Sequence, residues 1–264
     1  MLNRNFKNFK FQHQRNKNQI IYTSRKIKGD NEVVNLIDSF LKEKNSFVFE
    51  SVEKGVIKGR YTIFGKNPDK IWEFNNKNSY LIKNKKKKKL IGEPREIIEN
   101  ILEDFKFKTP INLPPICSLI SGYFSYDSIR YVEKIPNKCN DDLKLPDVRL
   151  LRPRTLIIHD NLKKKIFFIV NIFKDEIINN YSKKYFEIKK QINDMLIQSS
   201  INVNESNQSK EILNIKVKSN TTKKKFLKMV NKAKNYIKIG DIFQVVLSQR
   251  FEAKLSKKPL DIYK

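Results

Sequence analysis

An α+β fold is what this 264-residue sequence predicts, and three observations carry the prediction. Strand-like segments come in neighbouring clusters. Amphipathic helical segments fall between those clusters. The regular strand–helix–strand alternation of a parallel α/β protein is missing. Hydrophobic residues make up 39% of the chain, enough to bury a core for one large domain or two small ones.

The elements follow in order. Residues 1–28 show no period, lack acidic side chains and read as a flexible basic arm, without the apolar core of a secretory signal. Val33, Leu36, Ile37, Phe40 and Leu41 recur at helical spacing and predict a helix over residues 31–42. Residues 46–51 (SFVFES) and 58–65 (KGRYTIFG) are β-rich, with a turn at Lys54-Gly55. Residues 69–74 and 79–83 continue the strand pattern, and the lysine run at 85–89 reads as a solvated turn. Pro94 suits a first helical position, and Ile97, Ile98, Ile101, Leu102 and Phe105 share one face behind it.

Pro110, Pro114 and Pro115 then interrupt the chain before an apolar stretch around Gly122, a short helix over 127–133 and a polar loop over 136–146. Strands over 155–159 and 165–173 are joined by a turn at Asp160-Asn161. Tyr185, Ile188, Ile192 and Met195 mark a helix over 182–198, and residues 199–220, rich in Ser and Asn, read as a linker. The clearest helix carries Phe226, Met229, Val230, Ala233, Tyr236 and Ile237 on one stripe, with Thr222 as N-cap and Gly240 closing its C-terminus. The continuous apolar run at 242–247 predicts a strand covered on both faces.

The formal net charge is +27, which raises the question of a nucleic acid or an anionic membrane. Its distribution argues against both. The excess is nearly all lysine and is spread along the chain, while arginine, the better reader of phosphate and bases, is scarce. A joint drift towards Lys, Asn and Ile is what an AT-rich coding sequence produces without selection for charge. No run approaches the roughly 18 apolar residues of a membrane helix. Cys117 and Cys139 make neither a disulfide framework nor a metal-ligand spacing, which fits a reducing, cytoplasmic setting.

No motif independently announces an enzyme: there is no phosphate-cradling glycine loop, no His-rich metal cluster and no Ser-His-Asp pattern. His13 lies in the arm, and His159 ends a strand and reads as structural. Gln244, Ser248 and Gln249 are polar groups in an apolar context, best explained by hydrogen bonding inside a domain.

Three segments, in matching order, resemble anthranilate synthase component I. They are SFVFESVEKGVIKGRYTIFG at 46–65, SGYFSYDSIRYVEKI at 121–135 with LKLPDVRLL at 143–151, and FLKMVNKAKNYIKIGDIFQVVLSQRF at 226–251. The third resembles the opening of the chorismate-binding domain in the form anthranilate synthases use. The resemblance implies antiparallel β-sheets with flanking helices and a truncated C-terminal part. It also implies an N-terminal domain over 29–198 and the start of an incomplete chorismate-binding domain over 221–264. The implied activity is a lyase that turns chorismate and ammonia into anthranilate and pyruvate, the first step of tryptophan biosynthesis. Ammonia would come from a glutamine amidotransferase subunit, anthranilate synthase component II, and L-tryptophan would act as feedback inhibitor. Mg would hold the substrate carboxylate through ligands beyond this chain, so the chain alone is expected to be inactive, with no catalytic or metal residue of its own.

By the same resemblance, Glu50-Ser51 match the end of the family's LLES motif, and Ser51 is the expected tryptophan ligand; Lys58 and Arg60 compete for the basic position downstream. Phe-Val-Phe replaces the motif's leucines, and Ser125 stands where the family has glycine, which questions the backbone geometry there. The rival readings are an aminodeoxychorismate or isochorismate synthase fragment and a non-catalytic tryptophan-binding protein.

Overall fold

The computed structural model describes residues 2–27, 43–50, 59–76, 78–138, 140–200 and 216–255, with single positions 33, 36, 37, 40, 41 and 262. The chain divides into two compact units, Met1–Val203 and Asn204–Lys264.

The first unit is built on an antiparallel eight-stranded sheet. Its strands are β1 (Gln19–Lys26), β2 (Phe47–Phe49), β3 (Tyr61–Asn75), β4 (Asn78–Lys83), β5 (Lys86–Leu90), β6 (Ser121–Phe124), β7 (Val148–Asp160) and β8 (Lys165–Ile172). The order is β1-β8-β7-β3-β4-β5, with β2 added to β3 and β6 added to β7. The long strands β3 and β7 run through both ends of the sheet. Their first pairings, Tyr61↔Asp160 to Lys66↔Thr155, are flanked by β2 and β8, and the later ones, Ile71↔Leu151 to Phe74↔Val148, by β4 and β6. Pro68 sits opposite Pro153, and the register shifts between Pro68 and Lys70. Neither proline can donate to the ladder, so the bulge falls where the two halves meet.

Each half has its own core. In one, Ile20, Leu156, Ile158, Phe167 and Ile169 pack with Leu113 and Cys117. In the other, Trp72, Phe74, Val148 and Leu150 receive Ile101. Ile101 belongs to α2 (Pro94–Asp104), which starts with its proline in the first turn and turns Ile97 and Ile98 onto the same cluster. Leu102 of the expected face is instead exposed. The helix expected near residue 31 is represented by Val33, Leu36, Ile37 and Phe40, all helical and buried, with Phe40 edge-on to Phe64.

The N-terminal segment is not a flexible arm. Asn5 caps α1 (Phe6–Gln14) by accepting from the Asn8 N–H. Asn3 clamps the lead-in to β1, its N–H donating to the Tyr22 carbonyl and its side chain bonding Tyr22 N–H and Ile20 carbonyl. Phe9 is fully buried and stacks on Tyr185 of α3 (Tyr181–Gln198), ring centroids 5.7 Å apart. His13 Nδ1 lies 3.1 Å from the Tyr181 hydroxyl. Helix α3 buries Tyr185, Ile188, Ile192 and Met195, the stripe read from its spacing.

The lysine run is also a correction. Asn84 and Lys85, both with positive φ, make a two-residue turn, and Lys86–Leu90 is an edge strand paired with β4. Lysines on an edge discourage further strand addition, and all of the run but Lys85 sits on a strand rather than in a turn.

A buried ionic network closes the seam between the halves. Arg152 Nε donates to Asp69 Oδ1 at 2.8 Å, Arg152 Nη2 bonds both Asp69 and Asp175, and Lys70 pairs with Asp175. The Arg152 guanidinium also lies 3.8 Å from the centroid of the Phe173 ring. Burial alone would lower the Arg152 pKa; the bond to Asp69 and the charges of Asp69 and Asp175 raise it instead. Beside this network, Glu176 accepts from Arg154 and from the Phe173 N–H.

In the second unit, β9 (Val217–Ser219) and β10 (Phe251–Ala253) form an antiparallel ribbon. Helix α4 (Lys223–Lys238) begins at Thr222, whose hydroxyl accepts from Lys225 N–H at 3.3 Å. It ends in the paired bonds Gly240 N–H to Ile237 carbonyl and Asp241 N–H to Tyr236 carbonyl, the Schellman arrangement. The strand expected at 242–247 is absent: residues 244–250 have no regular structure, and Phe243 and Val246 are exposed. An apolar run becomes a strand only beside a partner, and among the described residues none pairs with it. Gln244 and Ser248 are therefore exposed rather than bonded inside a domain, while Gln249 Oε1 accepts from Ser219 Oγ at 3.2 Å. No helix among the described residues is long and apolar enough to cross a membrane.

Candidate functional site

The segment expected to carry ligand chemistry leaves the sheet at β2. Its register is Phe47↔Gly65, Val48↔Phe64 and Phe49↔Ile63. Gly65 is required here, because a Cβ would overlap the Phe47 ring. The Phe47 and Phe49 rings lie 4.9 Å apart, and Phe49 remains half exposed on the outer strand. The aromatic substitution in the motif is thus absorbed by ring–ring packing at a sheet edge. Glu50 is exposed at the strand end. Ser51 and Lys58 lie outside the described residues.

Arg60 is described, and its chemistry is spent within the fold. Its Nε donates to Asp160 Oδ1 at 2.9 Å and its Nη2 to Asp160 Oδ2 at 2.7 Å. Asp160 also accepts from the Leu162 and Lys163 N–H groups, while Asn161 N–H donates to the Arg60 carbonyl. Burial opposes the Asp160 charge, but the Arg60 bond and these N–H groups hold its pKa below the usual carboxylate range. This bidentate pair fastens the start of β3 to the β7–β8 turn. In the sequence Asp160 stands out only as a turn residue, because its partner is 100 positions away.

The second matched region is likewise scaffolding. Gly122 in β6 packs where a Cβ would collide with the Arg149 carbonyl of β7, which explains the glycine. Ser125, in place of the family glycine, has φ −72° and ψ 166°, extended backbone open to any residue, so the substitution costs no strain. It precedes a 3-10 helix (Tyr126–Tyr131). Arg130 pairs with Asp127 and donates to the Ile135 and Pro136 carbonyls, closing the loop. The Tyr131 hydroxyl donates to Asp147 Oδ2 at 2.9 Å, and Asn76 N–H donates to the same oxygen. Burial, and then the Asp147 bond, raise the Tyr131 pKa.

The remaining sequence candidates are structural. His159 is buried within β7, opposite Thr62 and Ile166. Cys117 is buried in a core cluster, and burial pushes its thiol pKa up; Cys139 lies outside the described residues. Among the described residues, no three His, Cys, Asp or Glu side chains gather in a way that could hold a metal ion, so the described carboxylates do not form a Mg site. Buried Asp160 and the partly buried Asp69 and Glu176 are each paired with an arginine.

Comparison with known proteins shows where this scaffold occurs. The chain is 36% identical over 255 residues to anthranilate synthase component 1 of Acetivibrio thermocellus, covering 93% of this chain and 51% of that protein. It is 32% identical over 241 residues to anthranilate synthase alpha subunit 1, chloroplastic, of Oryza sativa subsp. indica, covering 84% and 42%. Among solved structures, anthranilate synthase component I of Streptococcus pneumoniae superposes with a TM-score of 0.65 at 26% identity, covering 90% of this chain and 51% of that one. The chain therefore spans about half the length of the relatives it matches. Residues 47–264, from β2 through the whole second unit, match the model of the chorismate binding enzyme family, and the chain belongs to that family.

Proposed function

We propose that this chain forms the first half of an anthranilate synthase component I. The whole enzyme converts chorismate and ammonia into anthranilate, pyruvate and water. A glutamine amidotransferase subunit supplies the ammonia, and Mg bound outside these residues serves the substrate carboxylate. The observation that carries the reading is the family match over 47–264, together with anthranilate synthase relatives covering nearly all of this chain. The role of these residues is support: the seam network and the Arg60–Asp160 tie brace the sheet, and β2, which ends before Glu50, pairs with β3 of that sheet. We assign Ser51 to L-tryptophan, its hydroxyl bonding the amino-acid backbone of the inhibitor.

The test is complementation. The purified chain, given chorismate, ammonium and Mg, forms no anthranilate. Adding the second half of the Acetivibrio thermocellus relative as a separate polypeptide restores anthranilate fluorescence. Tryptophan inhibits the restored activity, and Ser51→Ala relieves that inhibition. Aminodeoxychorismate or isochorismate as the product would replace the reading with a sibling enzyme. Turnover by the chain alone would overturn the support role.

A further inference from the structure

The first unit has a cleft of about 650 Å3, lined by no residue of the matched motifs, between the N-terminal lead-in, β1 and α3. That size suits a small organic ligand. Leu2, Ile192 and Leu196 supply an apolar wall, Arg4, Lys189 and Lys190 supply three cations, and among the described residues no acidic side chain lines the cleft.

Arg4 differs from the arginines that tie the sheet together. Arg60, Arg149, Arg152 and Arg154 are also partly buried, and each holds a carboxylate: Asp160, Glu73, Asp69 and Glu176. Arg4 is half-buried, yet among the described residues it meets only the Asn8 amide oxygen, at 3.0 Å, and no carboxylate pairs with it. Burial lowers its pKa with no opposing charge to raise it. A partly desolvated guanidinium normally has an anionic partner. Its backbone is also fixed in advance. The Tyr185 hydroxyl donates to the Arg4 carbonyl at 2.7 Å, and the neighbouring Asn3 is clamped to β1. A preset site loses little freedom on binding.

We propose that this cleft binds a small organic anion of the aromatic carboxylate class, with the carboxylate on Arg4 and the ring against Leu2, Ile192 and Leu196. The planar guanidinium matches a carboxylate in two parallel hydrogen bonds, and Lys189 and Lys190 add attraction at the rim. The assignment stands on these residues alone and is independent of the enzymatic reading.

The experiment is a titration of the full chain with 2-naphthoate in 150 mM salt, followed by calorimetry and by backbone amide shifts. The controls are acetate, which lacks the ring, and 2-naphthalenemethanol, which lacks the charge. The expected result is saturable naphthoate binding that moves the amides around Arg4 and Ile192, with both controls at least tenfold weaker. Arg4→Gln weakens naphthoate at least tenfold, and Lys190→Gln, on the outer helix face, weakens it about threefold. Lys89→Gln, in the exposed edge strand, changes nothing and reports on general attraction to a cationic chain. Should Arg4→Gln perturb folding, the Lys190 and Lys89 variants still separate the outcomes. Equal affinity for the alcohol, equal losses at Lys89 and Lys190, or no saturable binding would each overturn the proposal.

Discussion

The two units carry equally clear sequence signals and use them differently. In Met1–Val203, the apolar runs of β7 and β8 are covered on both faces, and ion pairs between distant segments close the seam. In Asn204–Lys264, α4 is well capped at both ends, yet Leu227, Tyr236 and Ile237 on its surface remain exposed, as do Phe243, Val246 and Phe251 after it. Capping and periodicity are local, so a helix can satisfy them alone. Burial is not local. It needs neighbouring elements, and the first unit supplies six further strands around two long ones. The difference teaches that a strong helical pattern identifies an element without saying what covers it.

The sharpest way to break the comparison is to attack what only the first unit has. Arg152→Met removes the cation from the seam and leaves Asp69, 7% exposed, without its partner. Breaking a buried pair from one side costs about 3–5 kcal/mol, which lowers the melting temperature of a unit this size by roughly 10–15 °C. Thermal unfolding followed by circular dichroism measures it. Replacing both partners, Arg152→Met with Asp69→Leu, recovers part of the loss, because no uncompensated carboxylate then remains. A single variant as stable as the parent would mean that the halves are held by their cores alone.

The residues of that seam also mark the limit of what the sequence makes legible. The Tyr185, Ile188, Ile192 and Met195 stripe, the Thr222 cap and the Gly240 stop could be read directly, because each depends on spacing within a few residues. Arg152 and Asp69 are 83 positions apart and Arg60 and Asp160 are 100 apart; they meet only through the β3–β7 register. The N-terminal segment looks featureless because its nine-residue helix is basic and weakly patterned, and its order comes from Phe9 on Tyr185 and β1 on β8. The lysine run is a strand because β4 and the turn at Asn84-Lys85 impose it. For the candidate site, the motifs were visible, but the scaffolding role of Arg60, Arg130 and Tyr131 follows from partners that no spacing announces.

A milder probe of the seam is acid. Burial alone would raise the Asp175 pKa, but the Lys70 bond and the Arg152 charge hold it at about 2, below the ordinary 3.8. A carboxylate with a depressed folded-state value adds stability that is complete above the ordinary value and is lost as pH falls towards about 2. Because a third of the Asp175 side chain is exposed, solvent screening reduces this contribution to about 1 kcal/mol. Urea unfolding at pH 7, 4, 3 and 2 checks the sign. Asp175→Asn is less stable than the parent at pH 7, and the two converge near pH 2. A constant gap across the series would show that Asp175 acts through shape rather than charge.

The smallest expected effect tests the second unit. Val246 follows α4 in a segment without regular structure, and the residue is 81% exposed. Val246→Asp should therefore leave the stability of this chain within about 0.5 kcal/mol, since an exposed position away from packing contributes little. The same substitution at Ile158, fully buried between β3 and β8, places a carboxylate in the core and prevents folding. Running the two variants side by side, by amide exchange and chemical unfolding, turns the contrast between the units into a measurement. If Val246→Asp destabilises the chain as a core substitution does, then residues 242–247 are covered in solution, and the strand their composition suggests exists there. If it is silent, the apolar run is an exposed surface in this chain.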